Sequence, residues 1–331
     1  MKKEDLSPLV SIIVPCFNAE AYLADAVNSV LRQSYTNWEC LLIDDKSSDN
    51  TFGLIEKYER DFPGKIKGLV NPGKGACDAR NFGLEQAKGE CVKFLDSDDA
   101  MFDDETLFSQ VNFLEENKLD IVFGVEHYFQ DKFEAENLVK KRGALLNDTN
   151  VNSQFFTRFP ITSNFLLRSS VSSELRWNGK LKSGQEFHFL FMCLLNKLRF
   201  GFQDIPAAKI RIHNSIHRIS NKTPEVYVAQ TFDLIKQLSH ELERYKYSNQ
   251  EFLSAFNVWK LRWCFSALRV KNFPVFRSIQ NLLLKPSALK IGNAEVRFLY
   301  RLNFLSPYLA FAFYEIFKKT VKRDVLRGSL Q

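Results

Sequence analysis

The first hundred residues alternate between short apolar runs and stretches with helical periodicity. Apolar runs of the length and composition of a strand buried on both faces recur along this part of the chain. The predicted strands are Val10–Val14, Cys40–Ile43, Ile66–Val70 and Glu90–Leu95. Between the first two, apolar residues follow the i, i+4, i+7, i+8 spacing of a helix at Leu23, Val27, Val30 and Leu31.

Capping and turn residues support helices between these strands. Asn18 suits an N-cap, with Glu20 in the first turn of the helix that follows. A second helix is predicted to run to about Arg60 and to end at Pro63-Gly64, and a third covers Ala76–Lys88. Strands that alternate with such helices predict βαβ units around a mostly parallel sheet.

In sheets of this kind, ligands bind beyond the carboxyl ends of the strands. Three of the loops that follow predicted strands start with polar or acidic residues, at Pro15–Asn18, Asp44–Asp45 and Asp96–Asp99. The pattern therefore predicts that these loops line one crevice.

The rest of the chain reads as further strands and helices around one irregular stretch. The predicted strands are Asp120–Phe129, SNFLLRSS (163–170) and AAKIRIH (207–213), and the predicted helices are Glu105–Asn117 and Gln185–Leu198. Gln130–Arg158 is polar and irregular, as a mobile loop would be. From about Asn221 the pattern becomes helical and rich in Phe and Leu.

Length and composition limit the class of protein. A chain of 331 residues with 45% hydrophobic content can bury a large core. Its six cysteines form no CxxC pair. We therefore expect them to pack as small hydrophobic side chains, and the protein to be in a reduced, cytoplasmic compartment. The first ten residues lack the pattern of a secretory signal, and no apolar run approaches the ~20 residues of a membrane span. We expect the chain not to cross a membrane.

The net charge of +6 is unevenly distributed. Residues 260–331 carry 14 Lys and Arg against 3 acids, a net +11, which leaves −5 on residues 1–259. The basic region is either the solvated face of a helical segment or a contact surface for an anionic partner such as a membrane.

Three carboxylates, Asp96, Asp98 and Asp99, follow the fourth predicted strand within four residues. Taken alone, such a cluster is as typical of an exposed turn or a helix N-cap as of a site. Its position after a buried strand and beside Asp44–Asp45 favours a site for magnesium or manganese, held together with the phosphates of a substrate.

Two other acidic motifs fit this loop less well. A phosphatase of the haloacid-dehalogenase type also has Asp-x-Asp after an apolar strand, but Thr or Val follows there, whereas Asp99-Ala100 follow here. An EF-hand loop would need a Gly and a terminal Glu that this segment lacks.

Six segments resemble the inverting glycosyltransferases of family 2, which have the GT-A fold, and they occur in the order found in that family. They are VSIIVPCFNAEAYL, LLIDDKSSDNT, GACDARNFGLEQAKGE, VKFLDSDD, SGQEFHF and KIRIHNSI. The resemblance implies an α/β, Rossmann-like, mostly parallel central sheet flanked by helices over residues 8–220. A nucleotide-sugar half would cover about 8–100 and an acceptor half about 101–220. The helical residues 221–331 lie outside the resemblance and form a C-terminal appendage.

The resemblance assigns the first two loops to the nucleoside. Pro15, Asn18 and Glu20 would line its pocket, although helix capping explains the last two equally well. Asp45 would accept a hydrogen bond from the uracil ring, and Asp44 would brace the loop.

The same resemblance assigns the diphosphate and its cation to the acidic loop. Asp96 would face the ribose or uracil, and Arg80 would neutralise carboxylates or phosphate. Asp98 and Asp99 would hold the metal, with no way to choose between them from sequence, and His213 would complete the metal site.

On the acceptor side, Glu186 would be the catalytic base, although an acid in the first turn of a helix also suits the helix dipole. The family usually has Glu-Asp where this chain has Gln185-Glu186. Trp177 would stack on the acceptor sugar, or else be a core aromatic.

These assignments imply an enzyme that moves a sugar from a nucleoside diphosphate to a glycan or lipid-linked acceptor, with Mn or Mg, in cell-surface polysaccharide synthesis. UDP is the default, with thymidine or guanosine diphosphate as alternatives. A non-catalytic nucleotide-sugar-binding module and a Mg-dependent phosphohydrolase remain alternatives. We expect a cytoplasmic protein, peripheral on the inner face of the membrane through residues 260–331, without a nucleic-acid partner. An oligomer is left open, and the sequence does not encode the donor sugar, acceptor or linkage.

Overall fold

The computed structural model describes residues 7–142, 155–156, 161–172, 175–213, 222–289 and 294–320. The chain divides into two compact units. The first comprises Met1–Leu146, Pro160–Lys180 and Gln185–Arg218, and the second comprises Asn147–Phe159, Leu181–Gly184 and Ile219–Gln331.

Among the described residues, a nine-stranded sheet forms the centre of the first unit. Its strands are β1 (Val10–Cys16), β2 (Trp38–Asp44), β3 (Ile66–Val70), β4 (Cys91–Phe94), β5 (Ala100–Met101), β6 (Ile121–Gln130), β7 (Leu138–Arg142), β8 (Leu166–Arg168) and β9 (Phe200–Ile212). The order is β3-β2-β1-β4-β8-β6-β9-β5, with β7 paired to β6. Strands β1 to β4, β6 and β9 run in one direction, whereas β5, β7 and β8 run in the other. The predicted α/β fold with a mostly parallel central sheet is confirmed.

The register of the parallel strands aligns their carboxyl ends. Cys16 at the end of β1 pairs with Asp44, and Asp44 pairs with Val70 at the end of β3. Phe94 at the end of β4 pairs with Ile13. The loops after these strands therefore leave the sheet at one edge.

The helices of the first unit connect and cover these strands. They are α1 (Leu23–Leu31), α2 (Thr51–Asp61), α3 (Ala76–Gln86), α4 (Thr106–Glu116), α5 (Ser169–Ser172) and α6 (Gln185–Leu195), with 3-10 turns at Ala135–Asn137 and Thr162–Asn164. Helix α3 lies close to the sheet because Gly83 has no side chain. A Cβ there would lie 2.4 Å from Cγ2 of Ile13 and 2.8 Å from Cδ1 of Ile43.

Four local predictions were wrong. The predicted strand over residues 163–170 is limited to Leu166–Arg168, between the 3-10 turn Thr162–Asn164 and helix α5. Asn18 is not an N-cap, because α1 begins only at Leu23 and Asn18 has φ +48°, in the left-handed region. The stretch 130–158 is not irregular throughout, since it contains β7, which pairs with β6; its residues 143–154 and 157–158 lie outside the described ranges. Helix α6 ends at Leu195, and Lys197 follows with a φ of +60°.

The second unit is helical where the structure describes it. Its helices are α7 (Pro224–Arg244), α8 (Gln250–Arg269), α9 (Phe273–Asn281), α10 (Ala294–Leu305) and α11 (Pro307–Thr320), with a 3-10 turn at Pro286–Ala288. Thr223, Asn249 and Asn272 cap α7, α8 and α9, each accepting a hydrogen bond from a backbone amide of the first turn. The predicted C-terminal helical appendage is confirmed. Among the described residues, no helix combines the length and hydrophobicity needed to span a bilayer.

All six cysteines are buried and outside any disulfide. Five lie in the first unit, and Cys264 lies on α8 of the second. Burial raises the pKa of the Cys77 thiol to about 11 and those of Cys40 and Cys91 to about 12. The thiols therefore stay protonated and pack as small apolar groups, as the sequence predicts.

Candidate functional site

The acidic loop after β4 carries three carboxylates, and each has a different environment. Asp96 is paired with Arg80 on α3, and Asp98 with His213 after β9. Asp99 points into the protein and is only 4% exposed. The repulsion expected among three neighbouring carboxylates is thus relieved by separate contacts within the first unit.

Asp99 is held from both sides. Its Oδ2 accepts a hydrogen bond from Oγ of Ser163 at 2.7 Å, and its Oδ1 accepts one from the backbone amide of Arg211 at 3.1 Å. Burial, followed by the charges of Asp98 and Asp96, raises the pKa of Asp99 well above its usual range. Both oxygens of Asp99 are thus occupied by hydrogen bonds within the protein, whereas the side chain of Asp98 is 29% exposed.

Asp98 and His213 form a pair at the carboxyl edge of the sheet. Oδ2 of Asp98 lies 2.9 Å from Nε2 of His213, and the Asp98 side chain is 29% exposed. The other ring nitrogen, Nδ1, lies 3.4 Å from the hydroxyl of Tyr22, whose ring packs on the imidazole at 4.6 Å. A carboxylate and an imidazole thus lie side by side, and the contacts with Tyr22 fix the orientation of the imidazole.

Arg211 was missed in the sequence, although it joins the acidic loop to the rest of the unit. Its Nε donates to the carbonyl oxygen of Asp98 at 3.0 Å, and its guanidinium pairs with Asp25 at 2.6 Å. The guanidinium also lies 4.1 Å from the centre of the Phe133 ring. Arg211 lies two positions before His213, at the end of β9, so strand alternation would place both side chains on one face, and this spacing is the signal that could have identified Arg211.

Arg80 is buried against the opposite side of the acidic loop. Its guanidinium donates to Oδ1 of Asp96 at 2.6 Å and lies 4.5 Å from the centre of the Trp177 ring. Burial lowers the pKa of Arg80, but the charges of Asp96 and Glu186 and the hydrogen bond to Asp96 outweigh it and raise the pKa above its usual value. Arg80 therefore stays charged, bonded to Asp96 and under the electrostatic influence of Glu186 at the start of α6.

Trp177 belongs to the core rather than to an acceptor surface. The ring is 2% exposed and stacks on Phe189 at 4.7 Å, with an angle of 9° between the planes. Its backbone is fixed by Asn81, which accepts from the amide at 2.8 Å and donates to the carbonyl at 2.9 Å. The structure therefore places Trp177 in the core role, which the sequence had left open, and not in position to stack on an acceptor.

A fully buried lysine lies beneath the acidic loop. Nζ of Lys93, on β4, donates to Oε1 of Gln110 at 3.0 Å and to the carbonyl oxygen of Ser163 at 3.1 Å. Ser163 in turn contacts the loop through the amide of Asp96 at 3.1 Å and the carboxyl of Asp99. Burial lowers the pKa of Lys93 to about 7.

This lowered pKa predicts a stability difference that depends on pH. Above pH 7 the folded state binds fewer protons at Lys93 than the unfolded state, whose lysines titrate near 10.4, so this residue's contribution to stability rises with pH. The free energy of unfolding of the wild type, minus that of Lys93→Met, should grow by about 2 kcal/mol from pH 7 to 9, with a slope that approaches about 1.4 kcal/mol per pH unit once Lys93 is neutral in the folded state.

Urea denaturation of both proteins across this pH range measures the difference, and the contributions of the buried cysteines cancel because both proteins contain them. Gln110→Met, which removes the neighbour but leaves the lysine, is the matched control. A difference that stays flat with pH would show that Lys93 is charged in the folded state.

The loops after β1 and β2 are bound to each other through Asn18 and Glu20. The side-chain oxygen of Asn18 accepts from the backbone amide of Ser48 at 2.8 Å, and the backbone amide of Asn18 donates to Oγ of Ser47 at 3.0 Å. Glu20 accepts from the amide of Asn50 at 3.2 Å. Pro15 is half-buried near the end of β1. These three predicted residues are thus at the sheet edge, with Asn18 and Glu20 in structural contacts.

Asp45 supports the loop after β3. Its Oδ1 accepts from Nδ2 of Asn71 at 2.6 Å, and its Oδ2 accepts from the amide of Gly75 at 2.7 Å. Asp44 is buried and accepts from the amide of Ser47 at 3.2 Å. Both acids therefore order the loops of the predicted nucleoside pocket.

Glu186 lies in the first turn of α6, two residues after Gly184, which has φ +69°. The side chain is half-buried, and its charge acts on both Arg80 and Cys77. The predicted base is therefore within electrostatic range of the arginine that binds the acidic loop.

The described residues contain no group of three or more His, Cys, Asp or Glu side chains that could hold a metal ion. They do contain the Asp98–His213 pair. Magnesium and manganese commonly take one or two protein ligands and complete their shell with substrate phosphates and water. A carboxylate oxygen and an imidazole nitrogen at one edge fit such a partial site.

Solved structures share this fold. The structure superimposes on S. aureus TarS residues 1–349 in complex with UDP-GlcNAc with a TM-score of 0.67 and 18% identity, over 96% of this chain and 95% of that one. The mannosyltransferase PcManGT from Pyrobaculum calidifontis, in complex with GDP-Man and Mn²⁺, gives a TM-score of 0.56 and 15% identity, over 96% and 89%. The fold is GT-A. The model of Glycosyl transferase family 2 matches residues 11–176, and the chain belongs to this family.

Relatives are also found by sequence. The UDP-Glc:alpha-D-GlcNAc-diphosphoundecaprenol beta-1,3-glucosyltransferase WfgD of Escherichia coli is 42% identical over 118 residues, which cover 35% of this chain and 45% of WfgD. The poly(ribitol-phosphate) beta-N-acetylglucosaminyltransferase TarS of Staphylococcus aureus is 28% identical over 193 residues, 58% of this chain and 33% of TarS. The chain thus spans less than half of the length of these curated relatives.

Proposed function

We propose that this chain is an inverting glycosyltransferase of cell-surface polysaccharide synthesis. Its donor would be a nucleotide sugar, with UDP as the first candidate, and its acceptor a glycan or a lipid-linked sugar. The observation that carries the proposal is the Asp98–His213 pair, 2.9 Å apart, at the ligand-binding edge of a family 2 sheet. The names of WfgD and TarS support a sugar transfer to an acceptor of the cell surface.

The donor half would use residues that the structure already holds in place. Asp45 orders Asn71 and Gly75, and the loop that they form would contact the nucleobase. Asp98 and His213 would hold Mn or Mg, which would supply Lewis-acid stabilisation of the departing diphosphate. Arg211 fixes the backbone of Asp98, so it is a positioning residue for this pair.

The acceptor half would use Glu186. Its carboxylate would take the proton of the acceptor hydroxyl as that oxygen forms its bond to the anomeric carbon. The bond from this carbon to the phosphate oxygen breaks on the opposite face, and the nucleoside diphosphate leaves with the electron pair. A single displacement of this kind inverts the anomeric configuration, so an α-linked donor gives a β-linked product.

The test is a screen of nucleotide sugars with the purified full chain, with and without manganese. We expect UDP to raise the melting temperature only when manganese is present, and UDP release to require an acceptor such as a lipid-linked sugar diphosphate. Donor binding without turnover on any acceptor would favour the non-catalytic binding module. Phosphate release from a phosphomonoester would favour the phosphohydrolase.

A further inference from the structure

Helices α10 and α11 form a hairpin whose inner face is already filled. They are separated by Ser306 alone, and the amide of Ala310 donates to the carbonyl oxygen of Ser306 at 3.0 Å. The hydroxyl of Tyr300 on α10 donates to the carbonyl oxygen of Leu284 at 2.8 Å. The ring of Tyr314 on α11 packs against Phe265 of α8 at 4.8 Å. The inner face of the hairpin is therefore bonded to and packed against other parts of the second unit.

The outer face of α10 is amphipathic in an unusual way. Its exposed residues recur at i, i+1, i+4, i+7 and i+8, which is one side of a helix, and they are Arg297, Phe298, Arg301, Phe304 and Leu305. Two arginines and three large apolar side chains thus share one outward surface.

Helix α11 continues this surface. Leu305 is 85% exposed, Tyr308 58% and Leu309 54%, at the turn between the helices. The rings of Phe298 and Phe313, both exposed, contact each other with centroids 5.8 Å apart. This contact joins the outer faces of the two helices into one patch, which we call the hairpin patch: Arg297, Phe298, Arg301, Phe304, Leu305, Tyr308, Leu309 and Phe313.

Contiguous exposed apolar surface of this kind marks an interaction site. We infer that the hairpin patch docks the protein on an anionic lipid bilayer, with its apolar side chains entering the boundary of the acyl chains and its arginines binding lipid phosphates. Large apolar residues that alternate with arginines on one helical face are the pattern of helices that lie in a membrane interface. The inference goes beyond the proposed reaction and does not depend on it.

Charge complementarity selects the bilayer over a second copy of the chain. Residues 260–331 carry a net +11. Among the described side chains of α10 and α11, the only carboxylate belongs to Glu315, and it is paired with Arg269. Two copies that met through the hairpin patch would bring the like charges of Arg297 and Arg301 together, because the other members of the patch are uncharged, whereas the surface of an anionic bilayer supplies phosphates.

Co-sedimentation of the full chain with vesicles tests this inference. We expect binding to vesicles of phosphatidylcholine with phosphatidylglycerol, little binding to phosphatidylcholine alone, and release at high salt, because exposed charges are screened. Arg297→Gln/Arg301→Gln should weaken binding by about 5-fold for each arginine removed. Leu305→Ser/Tyr308→Ser/Leu309→Ser should abolish it, and since these side chains are exposed, the fold should be retained.

Matched controls use exposed residues outside the hairpin patch. Arg277→Gln/Lys285→Gln removes the same charge from the same unit, and Phe108→Ser removes an exposed apolar ring from α4. Both should bind vesicles much better than the patch variants. UDP release with a water-soluble acceptor should be the same in the wild type and in all of these variants, so that a failure of docking is separate from a failure of the proposed reaction.

Two results would overturn the inference. One is a full chain that ignores anionic vesicles or binds neutral vesicles equally well. The other is a wild type that elutes as a dimer by light scattering while the triple serine variant elutes as a monomer, which would make the patch an interface between two copies.

Discussion

Asp98→Ala should lower sugar transfer by about 10³-fold or more and weaken the binding of UDP. The carboxylate of Asp98 is proposed to hold the cation that stabilises the departing diphosphate, and such stabilisation amounts to several kcal/mol, at 1.36 kcal/mol for each tenfold in rate. Steady-state turnover at saturating donor and calorimetric titration with UDP and manganese measure the two effects.

Two matched variants make this test specific to the pair with His213. Asp61→Ala removes an exposed carboxylate at the end of α2 and should behave as wild type. Asp99→Asn keeps the shape of a buried side chain whose two oxygens accept from Ser163 and Arg211, so it should cost only about tenfold through altered hydrogen bonds. If EDTA leaves turnover unchanged and Asp98→Ala is close to wild type, the metal mechanism is wrong.

Glu186→Gln should lower turnover by roughly 10²–10⁴-fold while the affinity for UDP stays the same. Glutamine keeps the size of the side chain and the start of α6 but cannot accept a proton from the acceptor hydroxyl. Turnover is measured with saturating donor and acceptor, and UDP affinity is measured by calorimetry.

The control for helix effects is Glu225→Gln, because Glu225 also lies in the first turn of a helix, α7. It should change stability slightly, by about 0.3–1 kcal/mol, and leave turnover unchanged. A Glu186→Gln enzyme that retains most of its turnover would move the role of base to another acid. Nuclear magnetic resonance of the product tests the displacement itself, since a product with the anomeric configuration of the donor would contradict inversion.

The sheet and the position of the site could be predicted because both depend on local patterns. Apolar runs identified β1 to β4, and the rule that ligands bind at the carboxyl ends of parallel strands placed Asp45 and Asp96 at one edge. Motif order supplied His213, which pairs with Asp98 across 115 positions of sequence. No periodicity could have provided that pair without the family resemblance.

The contacts that hold the site were missed for a physical reason. Lys93, Ser163 and Arg211 act on the acidic loop through hydrogen bonds between residues more than 60 positions apart, and a single sequence does not record such pairs. Trp177 fits both of the roles left open, because an aromatic ring has the same hydrophobicity in a core as in a sugar-stacking position. Only its burial against Phe189 and Arg80 separates them.

The buried cysteines have a use in following how the molecule opens. A thiol reagent reacts with thiolate, and these thiols are both covered and kept protonated by their raised pKa values, so labelling of the folded protein must wait for an opening. Five thiols report on the first unit, whereas Cys264 reports on the second. Mass spectrometry of partly labelled chains therefore distinguishes two modes of opening in the same sample. Chains labelled at Cys264 alone would show that the helical unit opens by itself, and a jump from no label to six would show that both units open in one cooperative step.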